Sequence, residues 1–536
     1  MNFTILDSII FASYCLLIIG VGLYVSRGKP GIEKNAEDYF LASKSLPWWA
    51  VGASLIAANI SAEQFIGMSG SGFVLGLAIA SYEWMAAFTL IIVGKYFLPI
   101  FIEKGLYTIP EFIEKRFSKQ LKTILAVFWI ALFIFVNLTS VLYLGALALN
   151  TILGIQLIYG IIGLALFAAA YSFYGGLSAV AWTDVIQVVF LILGGLVTTY
   201  LALDIISGDQ GAFAGLGIAM KRAPEHFNMI LDKSNPQYMN LPGIWVLVGG
   251  MWVANLYYWG FNQYIIQRTL AAKSIGEAQK GIVFAAFIKL IIPFIVVIPG
   301  IACFIIVNDP EILSQFSSLN LPSVEEADKA YPWLLQFLPS GMKGIAVAAL
   351  TAAIVSSLAS MLNSTSTIFT MDIYMPYFSK LKTIKDPNLV TVGRITSAVA
   401  LIIGCVMAPL LGGIDQAFQF IQEYTGIVSP GILSVFLMGL FWKKTTNKAA
   451  IWGILLSIPV AVLFKSFPSI PFLNQMGLTA LVTMLAVVVV SLMQNKGAED
   501  SKGITINKET FKTEPVFNIV AFAISIILVV LYTLLW

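Results

Sequence analysis

The chain has 536 residues, 59% of them hydrophobic and only 11% charged, with a formal net charge of +3. Soluble domains carry about 25% charged residues, so a sizeable soluble domain is excluded and a polytopic membrane protein is indicated. One histidine and three cysteines leave no material for a His-rich metal or catalytic centre, or for a disulfide framework.

The first apolar run, about 5–25, has no basic segment before it and is too long for a signal-peptide core, so it reads as a retained helix. The next run, about 46–72, opens on Trp48 and Trp49 and carries Asn59-Ile60-Ser61-Ala62-Glu63-Gln64 at its middle. Hydrocarbon does not tolerate Asn, Glu and Gln on a lipid-facing surface, so the segment faces protein or water. Polar residues at mid-depth mark the broken helices of transporters, whose freed backbone groups build the site.

The third run holds Glu83, and a later one opens near Asp184. An intramembrane carboxylate is a functional candidate by default. Glu83 is read either as an acceptor for a polyhydroxylated ligand or as the partner of Lys289. Asp184, at the start of its span, lies on an ion path or caps its helix. The loop 207–240 contains Pro, Asn, mixed charge and His226, and reads as a lid or surface helix, like the loop 308–338.

A second polar-interrupted span follows over Trp252 to Gln267, with Asn255, Tyr257, Tyr258, Trp259, Asn262 and Gln263. Sugars have polar edges and an apolar ring face, so amides beside aromatic rings suit them. About half of these six are expected to be structural. Lys289 sits deep in the following run, offering donors to ligand hydroxyls or to Glu83. Ser356 and Ser357 fall within a long helix from about 340 to 375, their hydroxyls close to the Ala353 carbonyl one turn earlier. A hard monovalent cation wants oxygens, and the break near Ile60 would add carbonyls. Gln422 and Glu423 form a third polar intrusion, with a kink expected near Pro430. Cys15, Cys303 and Cys405 lie in apolar runs and read as small core residues.

Spans beginning near 5, 46, 76, 122, 156, 177, 241, 277, 340, 390, 416, 447, 473 and 515 make fourteen. One alternate set of loops then holds most of the Lys and Arg, from Arg27, Lys29, Lys34 and Lys44 through Arg268 to Lys512. The other set holds Lys221, Arg222, Lys233, Lys329, Lys343 and Lys465. The positive-inside rule puts the first set in the cytoplasm and both termini outside. The two broken helices lie five helices apart and so run in opposite directions, as in two inverted five-helix units. The divisions are 1–45, an extra helix and loop; 46–206, the first repeat; 207–240, an outer loop; 241–440, the second repeat; and 441–536, three further helices.

The segments around Asn59–Gln64, Asn255–Arg268 and Ile354–Ser364 resemble the sodium/solute symporter family over essentially the whole chain. The resemblance implies an all-α, LeuT-type core of five plus five inverted helices within about fourteen, in a bacterial cytoplasmic membrane. It implies that Gln64, Glu83, Asn255, Lys289 and Gln422 bind a sugar and that Tyr258 stacks on it as the inner gate. Met68, Tyr82 and Phe418 would close the outer side. Sodium, the co-transported ion, would be held by carbonyls of Ala57, Ile60 and Ala353 and hydroxyls of Ser356 and Ser357, with Asp184 aiding its release. A related member that this chain resembles carries a serine at the position of Ala86, which points to altered affinity or hexose preference.

The function expected is sodium-driven uptake of galactose or a similar hexose, without organic cofactor or nucleic-acid partner. A symporter for myo-inositol, sialic acid or an amino acid stays open, although Glu83 disfavours acidic solutes. So does a sugar sensor that does not transport. An enzyme is not expected, since neither HExxH nor GxSxG occurs.

Overall fold

A computed structural model describes residues 3–27, 35–313, 321–412 and 417–536. Lys29, Lys34 and the middle of the outer loop at 314–320 lie outside the described residues. Ten helices among those described are long and apolar enough to cross a membrane. A pair of helices at 418–425 and 429–441, bent by 51°, adds one more candidate.

The helices used below are α1 (Ile5–Ser26), α2 (Trp48–Asn59), α3 (Ser81–Ile92), α4 (Lys119–Leu132), α5 (Leu157–Ser207), α6 (Gly250–Phe261) and α7 (Gln263–Leu270). They continue with α8 (Ile275–Asn308), α9 (Met342–Ile368), α10 (Asn388–Met407), α11 (Ala417–Thr425) and α12 (Ser429–Phe441). Last come α13 (Asn447–Lys465), α14 (Phe472–Asn495) and α15 (Pro515–Leu534).

Burial sorts them into layers. The apolar window of the span containing α9 is 94% buried, whereas those of α1 and α15 are 17% and 22% buried. The reason lies in the side chains. α9 is built of Ala, Ser, Thr and Gly, small residues that let neighbouring backbones approach closely. α1 and α15 are Ile, Leu and Val-rich, and most of their surface is left for lipid. α9 packs against α1, α2, α5 and α10.

Both expected breaks are present. α2 ends at Ile60, whose backbone is extended (φ −80°, ψ 104°), and the chain resumes as a π-helical turn over Glu63–Met68. α6 ends at Asn262 (φ −84°, ψ 121°) and α7 starts at Gln263. A parallel bridge between Leu46 and Ala272 ties the entry of the first broken helix to the exit of the second. The third intrusion also bends, at 426–428, just before Pro430.

Two glycines make sharp turns. Gly176 (φ 59°, ψ −152°) divides α5 in a conformation open essentially only to glycine, and a Cβ there would stand 2.2 Å from the Tyr39 carbonyl oxygen. Gly76 (φ 72°) ends the first broken helix, where a Cβ would lie 2.4 Å from the carbonyl of His226. The outer loops are accordingly short helices that pack on the membrane part: Tyr331 lies against Phe65 at 5.1 Å, and His226 stacks on Phe304 at 3.9 Å.

Several bases counted above as loop charges are buried. Arg116 donates to the carbonyls of Gly439 and Thr445, and Lys122 pairs with Glu114. Arg268 is completely buried. A charge count along the chain does not separate solvated bases from those whose partners arrive from other helices.

Candidate functional site

The break in the first broken helix is held by its own side chains. Ser61 N–H, which would have continued the helix to the Ala57 carbonyl, donates instead to Gln64 Oε1 at 2.9 Å. The Ser61 hydroxyl donates to the same oxygen at 3.1 Å and receives the Glu63 N–H at 3.0 Å. Gln64 therefore fixes the break with its carbonyl oxygen while its side chain lines a cavity beside it.

That cavity has about 60 Å³ of water-accessible space, enough to hold ordered water. Its wall includes Gln64, Met68, Tyr82, Glu83, Ala86, Asn255, Tyr258, Phe418 and Gln422, drawn from both broken helices, α3 and α11. Tyr82 and Phe418 meet edge to face at 5.2 Å, and Met68 lies beside them. Tyr258, also in the wall, accepts hydrogen bonds from Asn59 Nδ2 at 2.9 Å and from the Tyr264 hydroxyl at 2.7 Å. Aromatic rings, amides and carboxylates thus share the wall of one cavity.

Glu83 and Lys289 are paired. The Lys289 ammonium donates to Glu83 and to the Asn59 side-chain carbonyl, and it lies 5.0 Å from the Trp259 ring centre. Glu83 reaches the cavity wall and Lys289 stands behind it, outside the lining. The two readings of this pair meet here: the ion pair exists, and Glu83 still lines the cavity.

Of the six amide and aromatic residues, Asn255, Tyr257, Tyr258 and Trp259 line the cavity. Gln263 does not. Its oxygen accepts the Ile109 N–H at 2.8 Å and its nitrogen donates to the Tyr107 carbonyl, so it anchors the turn at 107–109. Asn262 forms the hinge between α6 and α7. Gln422 lines the cavity, but Glu423 is not buried in mid-span as expected: it points to Lys465 at 3.1 Å, with both side chains about 40% exposed. Successive residues on a bent helix end face different surroundings.

An oxygen-rich region lies where α9 meets the end of α2. Ala57, Ile60, Ala353, Ser356 and Ser357 are all fully buried. The Ser357 hydroxyl donates to the Ala58 carbonyl at 3.0 Å, bringing α9 against the end of α2. Ser356 donates to Asp184 at 2.5 Å, and Ser54 donates to the other oxygen of Asp184 at 2.5 Å. Asp184 is therefore not a helix cap. It sits well inside the second half of α5 and links α2 to α9.

Two groups escaped the sequence reading. Asn59 was noted only as part of a polar stretch, yet it touches both Tyr258 and Lys289. Glu63 lines the cavity, and its Oε1 is buried without a hydrogen-bond partner. Its place in the first break was the available signal.

Comparison with known proteins now decides the class. Residues 39–457 match the sodium:solute symporter family. The chain belongs to that family. This symporter-family chain is 68% identical over 535 residues to a sodium/glucose cotransporter of Vibrio parahaemolyticus, covering 99% of itself and 98% of that protein. It is 34% identical to the human sodium/myo-inositol cotransporter 2 over 472 residues, 84% of this chain and 68% of that one. A solved structure, a Na+-coupled sialic acid symporter in a substrate-bound outward-open state, superposes with a TM-score of 0.78 at 24% identity. It covers 92% of this chain and 98% of its own, and supports the all-helical symporter fold.

Proposed function

We propose that this chain is a sodium-driven symporter for a neutral hexose, galactose or glucose, working by alternating access. The observation that carries this is the cavity at the first break, where Glu83, Asn255, Gln64 and Gln422 stand beside the Tyr258 ring. Hydroxyls find acceptors and donors along that wall, and a pyranose face finds an aromatic ring. The 68% identity to a sodium/glucose cotransporter supports sodium and sugar together. The Glu83–Lys289 pair carries no net charge as a pair, and the cavity wall, which also holds Glu63, offers an acidic solute no cationic partner, which favours a neutral polyol.

In this reading sodium binds among the carbonyls of Ala57, Ile60 and Ala353 and the hydroxyls of Ser356 and Ser357. It ties α2 to α9 and favours the outward-open state, so sugar and sodium each raise the other's affinity. Met68, Tyr82 and Phe418 then close above the sugar. Tyr258 yields below it, and Asp184 assists the departing ion. The membrane potential contributes about 2.3 kcal/mol per charge per 100 mV.

The frame for this mechanism is fourteen spans with a five-plus-five inverted core. Besides the ten apolar helices and the bent pair, three segments support that count. They are the first half of α5, the α6–α7 pair, and the division at Gly76 of the helical run 63–103. The repeats run over 46–206 and 241–440, flanked by 1–45, the outer loop 207–240 and the helices of 441–536. Both termini lie outside the bacterial cytoplasmic membrane. Myo-inositol is the second reading, favoured by the 34% identical human relative.

Labelled-galactose uptake into proteoliposomes tests the proposal, with an inward sodium gradient and then with potassium in its place. Concentrative uptake only with sodium is expected. Competition by unlabelled glucose and myo-inositol ranks the solutes. Uptake indifferent to the cation refutes sodium coupling.

A further inference from the structure

A continuous chain of hydrogen bonds runs from the oxygen-rich region to the cavity, and its middle is a residue that no role above includes. Ser356 donates to Asp184, and Asp184 accepts from Ser54. Arg268 Nε donates to the Ser54 hydroxyl at 3.1 Å. Its two terminal nitrogens donate to the Ser360 hydroxyl and the Tyr264 carbonyl, and one lies 3.9 Å from Asp184. Tyr264 then donates from its hydroxyl to Tyr258. Tyr258 accepts from Asn59, which holds Lys289, which holds Glu83 in the cavity wall.

Several features mark this chain as more than packing. Arg268, Asp184, Ser54, Ser356 and Ser360 are all fully buried, where each bond is stronger than in water and polarises the next. The guanidinium is a rigid planar fork, so it fixes the relative positions of its acceptors in a way that a flexible ammonium does not. Its acceptors sit on α2, α7 and α9, three separate helices. The chain also crosses the hinge at Asn262, because Tyr264 and Arg268 lie on α7 while Tyr258 lies on α6.

We propose that Arg268 is a positioning residue that carries sodium occupancy to the sugar gate, through Asp184 on one side and Tyr264 on the other. The inference rests on the sodium–sugar reading given above. A cation held by the Ser356 oxygen polarises that hydroxyl and strengthens its bond to Asp184. Asp184 then holds Ser54 and the guanidinium in place, and the guanidinium holds α7 at the Tyr264 carbonyl. With α7 fixed, the Tyr264 hydroxyl stays on Tyr258 and the gate stays shut beneath the sugar. Loss of the ion slackens the chain at Ser356 and loosens the guanidinium's hold on the Tyr264 carbonyl, so that the Tyr264–Tyr258 bond across the break at Asn262 is no longer fixed. α7, which carries both Arg268 and Tyr264, is the element through which the coupling passes.

The test measures galactose affinity of purified full-length protein with and without saturating sodium, and sodium leak into liposomes without sugar. The variants are Arg268→Lys, Arg268→Gln and Tyr264→Phe. In the wild type, sodium should raise sugar affinity at least about fivefold, the lower end of ordinary coupling. In Arg268→Gln and Tyr264→Phe that stimulation should fall to about twofold or less. Sugar affinity at saturating sodium should fall towards the wild type's sodium-free value, affinity without sodium should change little, and sugar-free sodium leak should rise. Arg268→Lys should recover part of the coupling. A merely structural arginine would lower the amount of folded protein and leave the stimulation per folded molecule intact. Tyr264→Phe removes one hydroxyl and no charge, so it decides the matter where the Arg268 variants do not fold. Full stimulation in Tyr264→Phe, or in folded Arg268→Gln, overturns the proposal. A wild type whose sugar binding ignores sodium removes the sodium–sugar reading itself and the relay with it.

Discussion

Replacing Lys289 by methionine should destabilise the protein more than replacing Glu83 by glutamine, and the double replacement should cost less than Lys289→Met alone. The magnitudes follow from the partners. Lys289 is fully buried and donates to both Glu83 and Asn59. Methionine fills a similar volume but supplies no donor, so the Glu83 carboxylate is left charged, buried and unpaired. Breaking a buried ion pair from one side costs about 3–5 kcal/mol. In Glu83→Gln the ammonium keeps the Asn59 carbonyl, the Trp259 ring at 5.0 Å and an amide oxygen in place of the carboxylate. The loss there should be about 1–3 kcal/mol. With both changed, no unpaired charge remains. Replacing a buried pair by neutral groups is often close to neutral, so most of the Lys289→Met penalty should return. Thermal unfolding of the four proteins in one detergent measures this as a cycle, and galactose uptake is read alongside. Uptake should be lost in all three variants, including the stable double one, because the carboxylate facing the cavity is gone or unsupported. Additive destabilisation in the double variant would refute the reasoning, since it would mean that the two groups do not stabilise each other.

Three further outcomes are expected. Ala86→Ser adds a hydroxyl to the cavity wall one turn from Glu83, and a new hydrogen bond of about 0.5–1.5 kcal/mol should tighten galactose binding about two- to tenfold by calorimetry or competition. Ser357→Ala removes the hydroxyl that meets the Ala58 carbonyl. The sodium concentration for half-maximal uptake should rise by a similar factor, about two- to tenfold, while sugar affinity at saturating sodium stays within about twofold of the wild type. Gly176→Ala places a methyl 2.2 Å from the Tyr39 carbonyl oxygen at a φ of 59°. Backbone strain alone costs about 1–3 kcal/mol, so a lowered melting temperature and reduced yield should follow, and an unchanged melting temperature would contradict the described kink.

The sequence by itself determined that this is a helical membrane protein, where its helices break, and which residues surround the breaks. The physical reason is the bilayer. Hydrocarbon makes a buried Asn, Glu or Lys costly wherever it stands, so Asn59–Gln64, Glu83, Asn255–Gln263 and Lys289 stand out along one strand of text without knowledge of their neighbours. Only the tertiary structure decided what these groups do for each other. Lys289 stands behind Glu83 rather than in the cavity, because α8 approaches α3 from outside the cavity wall. Asp184 links α2 and α9, not the end of its own helix. Gln263 and Glu423 turn away from the cavity, although each directly adjoins a broken or bent segment. Arg268 looked like one more cytoplasmic base, yet its acceptors come from positions 54 and 360, far away along the chain. Burial cost is local and can be read residue by residue. Pairing depends on which helices meet, and that is set by the small residues of α9 and the sharp turn at Gly176, which bring distant stretches of the chain together.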